Sequence, residues 1–278
     1  MSTPLAEAAS FLFVPGNRPD RFAKAAASGA DAVIVDLEDA VAPSEKPAAR
    51  EAIRREWAGL AQSATPLVVR VNAASTGLLA DDLAALERLS PRPGVMLPKA
   101  ESFVDVERVT RSLPGAAVIP LIETAAGLAA LDEVARAPGV VRLAIGHLDF
   151  MADTGMSWSE GEPELAPLRF AVSIATRLAG LAPAVDGVTV QTDDAPRLRA
   201  DTLRAKRFGF GGKLCIHPRQ VGVVHEAFAP AAEEVAWAKR VVEADAASGG
   251  SAVKVDGKMV DAPVVATARR ILARAARG

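Results

Sequence analysis

Short runs of apolar, β-branched residues alternate with Ala-rich amphipathic stretches almost to the end of the chain, the pattern of parallel strands covered by helices. Strands are expected at residues 10–14, 32–38, 67–72, 94–98, 117–123, 141–146, 185–190 and 212–216. Helices are expected at 19–28, 45–60, 79–89, 103–112, 125–136, 165–179 and 195–207, with a loop over 147–164. Pro15-Gly16 breaks the first strand, Pro19 suits a first helical turn, and Gly29 suits its stop. Eight βα units are complete by about residue 228, a count that favours a closed (β/α)8 TIM barrel over an open doubly wound sheet. The barrel is therefore expected to fill 1–229, followed by a C-terminal helical tail over 230–278. That tail reads as a charged amphipathic helix, a Gly249-Gly250 turn, a hairpin-like piece at 254–258 and an Arg-rich final helix, packing on the barrel or on a neighbouring subunit.

Composition adjusts this picture little. A chain of 278 residues, half of them hydrophobic, suits one α/β barrel with a large core. The net charge of −2 leaves no footprint for nucleic acid or an anionic membrane. A lone cysteine, Cys215, excludes an internal disulfide and fits a reducing cytoplasm. The N-terminus carries no signal-peptide pattern, and no uncharged run approaches a membrane span. A soluble cytoplasmic protein is expected.

The candidate chemistry lies where strands end, since barrel active sites form at the C-terminal strand ends. Strand two exits through Asp36-Leu37-Glu38-Asp39, and alternation puts Asp36 and Glu38 on one face. Paired carboxylates at the exit of a buried strand need a cation, a metal or hydrogen-bond donors in answer. Arg70 interrupts the apolar third strand, Glu123 ends the fifth, and Asp149 follows the sixth. Glu123 and Asp149 suit a hard divalent cation such as Mg²⁺, with Asp36 and Glu38 supporting its waters from outside. Arg70 offers a fork for a substrate carboxylate.

Blander readings stand beside these. Arg70 and a neighbouring carboxylate also suit a structural buried ion pair, and Asp39 suits a helix cap better than chemistry. Glu123 also suits a helix N-terminus. His147 is a weak ligand or base candidate, His217 either lines the mouth or satisfies a backbone group, and His225 reads as surface. Cys215 reads as core, and the run from Gly209 to Lys213 is a weak phosphate cradle.

Taken together, the motifs are identifiable. Phe13-Val14-Pro15-Gly16-Asn17-Arg18, the run from Gly29 through Asp36-Leu37-Glu38-Asp39 to Val41, Val69-Arg70-Val71-Asn72, Leu97-Pro98-Lys99, Ile122-Glu123-Thr124-Ala125 and the run from Lys213 to Val221 occur in an order that resembles the aldolase/citrate lyase family. The likeness is to citrate lyase beta-subunit-like proteins and malyl-CoA lyases in particular. It implies a TIM barrel, Mg²⁺ dependence, homotrimers or hexamers, and reversible cleavage of a 3-hydroxyacyl thioester such as citryl-CoA or malyl-CoA. The products would be an acyl-CoA and a 2-oxo acid, oxaloacetate or glyoxylate.

By the same resemblance Arg70 would hold the substrate carboxylate, and Glu123 and Asp149 would ligate Mg²⁺. Asp261 would enter a neighbouring subunit's site as an acid, with capping of the last helix as its rival role. Arg18, Arg21, Lys24 and Lys46 are the candidates for meeting pantetheine phosphates. One departure concerns Gly146-His147-Leu148-Asp149, which lacks the acidic neighbour that many members carry before the metal aspartate. The alternatives are an aldolase or hydrolase acting on a free 2-oxo or hydroxy acid, and a non-catalytic subunit binding an acyl-carrier protein.

Overall fold

The computed structural model describes residues 4–248 and 252–276, so the expected Gly249-Gly250 turn lies outside the described residues. Eight strands, β1 Ser10–Pro15, β2 Ala32–Asp36, β3 Leu67–Arg70, β4 Gly94–Leu97, β5 Val118–Ile122, β6 Ala144–Ile145, β7 Val185–Asp186 and β8 Gly212–Cys215, pair in parallel in chain order. β1 also pairs with β8, which closes the TIM barrel. Around it run α1 Pro4–Glu7, α2 Phe22–Ala26, α3 Lys46–Leu60, α4 Leu79–Glu87, α5 Phe103–Ser112, α6 Ala125–Ala129, α7 Leu131–Ala135, α8 His147–Thr154, α9 Ala166–Leu178, α10 Ala195–Arg207 and α11 Arg219–Phe228.

Period-two alternation builds both the core and the mouth. Ile34, Val68, Ile119 and Leu121 belong to one buried apolar cluster. One step further along the same faces stand Asp36, Arg70 and Glu123. The register sets Asp36 directly beside Arg70 on adjacent strands. The strands thus end their apolar columns on charged groups, all at the C-terminal rim.

Two helical regions differ from expectation. The helix expected over 125–136 is divided at Ala130, whose backbone leaves the helical region although no Gly or Pro stands there. The expected loop after β6 instead opens directly into α8, stopped by Gly155 in the left-handed conformation, φ 69°. Asp149 therefore sits in the first turn of a helix. The loop that follows is pinned through Glu162, whose buried carboxylate accepts from Arg169, Arg197 and Arg204.

The chain divides into two compact units, Met1–His225 and Glu226–Gly278, where sequence places the boundary at 229/230. The second unit contains α12 Ala232–Ala247, the antiparallel pair β9 Val253–Val255 and β10 Lys258–Val260, and α13 Ala262–Ala275. It has a core of its own, built on Ala238, Val241, Val260, Val265 and Ala268. Among the described residues, no helix is long and apolar enough to cross a membrane.

At the opposite rim, the N-terminal ends of the strands are tied by polar contacts. Arg142 donates to the carbonyls of Leu5 and Ala8, securing α1 there. Asp31 accepts from the Ala9 and Ser10 amides, and His225 Nε2 lies 2.8 Å from Ser10 Oγ and 3.2 Å from Asp31 Oδ2. His225 is thus half-buried and partnered, not bare surface. The hydrogen bond to Asp31 holds its pKa above the ordinary 6.5. Burial pushes Asp31 up, but His225 and the two amides outweigh it and hold it below 3.8.

The linkage signs follow. The His225 contribution is full below pH 6.5 and lost as pH rises through its raised folded value, while Asp31 contributes above 3.8 and loses its share as pH falls through its lowered value. His225→Gln is expected to flatten the decline of the thermal midpoint above pH 6.5. Parallel midpoint curves for variant and wild type, followed by circular dichroism, would show that the pair contributes nothing.

Candidate active site at the barrel mouth

Asp36 is the most connected of the mouth carboxylates. Its side chain, 1 % exposed, accepts from Arg70 Nε and Nη2 at 2.7 and 2.6 Å, and from the Glu38 and Ala40 amides at 2.9 and 3.0 Å. The two amide bonds fold the chain into a turn that aims Glu38 back along the face of Asp36. Arg70 Nη1 lies 2.9 Å from Glu38 Oε2, and its guanidinium stands over the Phe13 ring at 4.9 Å. The structural ion pair is therefore present. Of the five N–H groups of an arginine, three face these carboxylates. A substrate carboxylate would have to use the remaining two.

Lys99, which sequence reasoning quoted only as part of a motif, stands at the centre of the remaining acids. Its ammonium lies 2.8 Å from Glu38 Oε1, 3.6 Å from Asp149 Oδ1 and 3.7 Å from Glu123 Oε1. Its own amide donates to Glu123 Oε1 at 2.9 Å. Glu123 is 1 % exposed, and burial, followed by the neighbouring Glu38 charge, pushes its pKa up to about 8 against the pull of Lys99. Burial raises Glu38 also, despite Arg70 and Lys99. Gly146 makes room for this packing, since a Cβ there would collide with Glu123 Oε2.

Glu123 and Asp149, the pair expected from the sequence to meet a divalent cation, thus face each other across the Lys99 ammonium. A positive charge already lies between them, and their donor oxygens are of the hard type that Mg²⁺ takes. Among the described residues no three His, Cys, Asp or Glu side chains form a complete metal cage. Mg²⁺ needs only one or two protein carboxylates and fills its other positions with water and substrate oxygens, so the residues present fit it.

The remaining candidates are placed as follows. Lys46 is buried, and its three N–H groups go to the Leu37 and Glu38 carbonyls and to Asn72 Oδ1. It pins the turn after β2 and, so placed, has no proton to offer a phosphate. Arg18 is half-exposed and paired with Asp20 through two hydrogen bonds. Lys24 and Arg21 are exposed at α2. Asp39 is exposed and caps no helix, because Ala42 takes the N-cap of the next helical turn. Thr124, not Glu123, caps α6.

His147 is buried against Gly187 just after β7, and burial lowers its pKa against the pull of the Asp186 and Glu162 charges. His217 Nδ1 accepts from the Arg219 amide, satisfying a backbone group. The run from Gly209 to Lys213 is no phosphate cradle: it enters β8 at the rim opposite the mouth, and Lys213 is buried, donating to the Gly187 carbonyl. Asp261 is the N-cap of α13, accepting from Val264 N at 3.3 Å. Cys215 is buried, which pushes its thiol up to about 12.

The site is thus the C-terminal mouth of a parallel barrel, where carboxylates gather around an arginine and a lysine. Comparison with known proteins gives the family. Residues 9–218 match the HpcH/HpaI aldolase/citrate lyase family and residues 181–277 match the carbon–carbon bond lyases of the TIM-barrel fold; the chain belongs to the HpcH/HpaI aldolase/citrate lyase family. It is 40% identical to the citrate lyase subunit beta-like protein of Mycobacterium tuberculosis over 95% of this chain and 94% of the relative. It is 34% identical to the (3S)-malyl-CoA thioesterase of Cereibacter sphaeroides, over 96% and 94% of the two chains. Among solved structures, the CitE protein of M. tuberculosis in complex with magnesium, acetoacetate and coenzyme A superposes with a TM-score of 0.85 at 38% identity, covering 98% of this chain and 99% of that one.

Asp36→Ala would strand Arg70 without its bidentate partner and is expected to cost roughly 3–5 kcal/mol of stability, read from urea unfolding. Adding Arg70→Met should restore part of the loss. A cost below about 1 kcal/mol would reduce the pair to the worth of a surface ion pair.

Proposed function

We propose that the chain is a magnesium-dependent carbon–carbon lyase that cleaves or forms a 3-hydroxyacyl thioester such as citryl-CoA or malyl-CoA. The partners of the reaction are an acyl-CoA and a 2-oxo acid, oxaloacetate or glyoxylate. The observation that carries this reading is the convergence of Glu38, Glu123 and Asp149 on one positive centre beside Arg70. The relative crystallised with magnesium, acetoacetate and coenzyme A supports the same chemistry. We place the enzyme in the cytoplasm as a homotrimer or hexamer.

Held by Glu123 and Asp149, Mg²⁺ would supply Lewis-acid stabilisation to the oxygen charge that develops on the 2-oxo-acid half. Arg70, fixed by Asp36, orients the substrate carboxylate through its two remaining N–H groups. Glu38 is suited to take the hydroxyl proton: burial raises its pKa, and its Oε2 lacks an aligned hydrogen bond. Breaking the carbon–carbon bond leaves the 2-oxo acid and a thioester enolate. Asp261 of a neighbouring subunit protonates that enolate, and Arg18 and Lys24 meet the pantetheine phosphates. Lys46 is withdrawn from that role by its three internal bonds.

A second reading is thioester hydrolysis, favoured by the identity to the (3S)-malyl-CoA thioesterase. A panel of 3-hydroxyacyl-CoA esters with Mg²⁺ separates the two. A lyase releases 2-oxo acid and leaves the thioester bond intact in acetyl-CoA or a related product. A thioesterase releases free coenzyme A thiol with no 2-oxo acid. The expected outcome is 2-oxo acid, with turnover falling about a hundredfold or more in Asp261→Asn. Unchanged turnover in that variant would remove Asp261 from the reaction.

A further inference from the structure

Lys99 adopts a backbone conformation that a lysine rarely takes, with φ at +46° in the left-handed region. Such strain persists where the surroundings impose it, and it collects at functional sites. Here its effect is concrete. The turn after Pro98 points the Lys99 amide at Glu123 Oε1, while the side chain crosses the mouth to Glu38. One residue therefore meets the Glu123 carboxylate with its main chain and its charge together.

The charge balance around it is lopsided. Arg70 commits its bidentate fork to Asp36 and reaches Glu38 through Nη1 alone. Among the contacts of the carboxylate trio Glu38, Glu123 and Asp149, the Lys99 ammonium is the one positive group that touches every member. Its contacts differ in kind. That to Glu38 is a hydrogen bond at 2.8 Å, whereas those to Asp149 and Glu123, at 3.6 and 3.7 Å, are ion pairs without one. The side chain is also 32% exposed, so it has solvent to move into.

We propose that Lys99 is the built-in counter-cation of this site: its ammonium occupies the cation's place beside Glu123 and Asp149 in the metal-free protein, and yields them to the divalent ion by withdrawing onto Glu38. The inference rests on the reading of Glu123 and Asp149 as metal ligands. Two positive centres cannot share the same pair of oxygens without strong repulsion in a partly buried site. Lys99 therefore sets the metal affinity, holding it weaker than the carboxylates alone would give. It also keeps the acidic mouth folded before metal arrives. Glu38 is the reason that withdrawal is easy, because the ammonium keeps its best partner throughout.

Calorimetric titration of Mg²⁺ into the metal-stripped full-length protein tests this, using wild type, Lys99→Met, Lys99→Arg and Glu123→Ala. Lys99→Met is expected to bind Mg²⁺ about tenfold tighter than wild type. Its unfolding midpoint without metal should be lower, with the gap closing at saturating Mg²⁺. Lys99→Arg, which keeps the charge, should bind no tighter than wild type. Equal or weaker binding by Lys99→Met overturns the proposal. If Lys99→Met does not fold without metal, tighter binding by Lys99→Arg overturns it and unchanged or weaker binding supports it. Undiminished binding by Glu123→Ala sinks the metal reading itself, and this inference with it. Loss of binding in Glu123→Ala together with unchanged binding in Lys99→Met removes the counter-cation role alone.

Discussion

The geometry of the mouth depends on a carboxylate and a guanidinium that face each other from the last residues of β2 and β3. Their strand register puts Asp36 beside Arg70, and the planar fork matches the carboxylate atom for atom. The other lone pairs of Asp36 fold the following turn by accepting from Glu38 and Ala40. Lys46 then fixes that turn from beneath through Leu37, Glu38 and Asn72. Asn72 is itself held by Asp82, which Arg50 anchors. A chain of buried polar contacts thus runs from the C-terminal rim into α3 and α4. Each member would be costly if unpaired, so the rim tolerates little slack.

That rigidity has a chemical use. Glu38 and Glu123 are held close enough to repel, and burial raises both. A site of this kind stores a demand for positive charge. Lys99 answers it in the metal-free state, and a hard divalent ion would answer it more strongly. The family supplies the context, and the energetics of these particular residues supply the reason.

Much of this was legible in the sequence because it follows alternation. Eight apolar runs announced eight strands, and the period of two carried Asp36 and Glu38 onto one face. Arg70 and Glu123 were conspicuous as charges ending apolar columns. The missed features depend on tertiary placement. A lysine after Pro98 gives no sign that its backbone is left-handed or that three carboxylates surround it. Lys46 reads as a candidate phosphate partner until the burial of its ammonium is seen. For α8, Gly155 is an available stop signal, but the eight residues before it mix polar with apolar side chains and follow directly on the strand. The run from Gly209 to Lys213 leads into the first residues of its strand, and parallel strand direction alone places it opposite the mouth. The Glu162 cluster joins residues far apart in the chain, with arginines from α9 and α10, and no local pattern reports it.

The central claim is that the acids gathered by the Asp36–Arg70 pair form a divalent-cation site completed by Glu123 and Asp149. Anomalous diffraction from crystals grown with Mn²⁺, an Mg²⁺ surrogate, tests it most directly. The account predicts a peak within bonding distance of both the Glu123 and Asp149 carboxylates, with the Asp36–Arg70 pair intact beside it. A peak bonded elsewhere, or no peak at this mouth under saturating Mn²⁺, would contradict it.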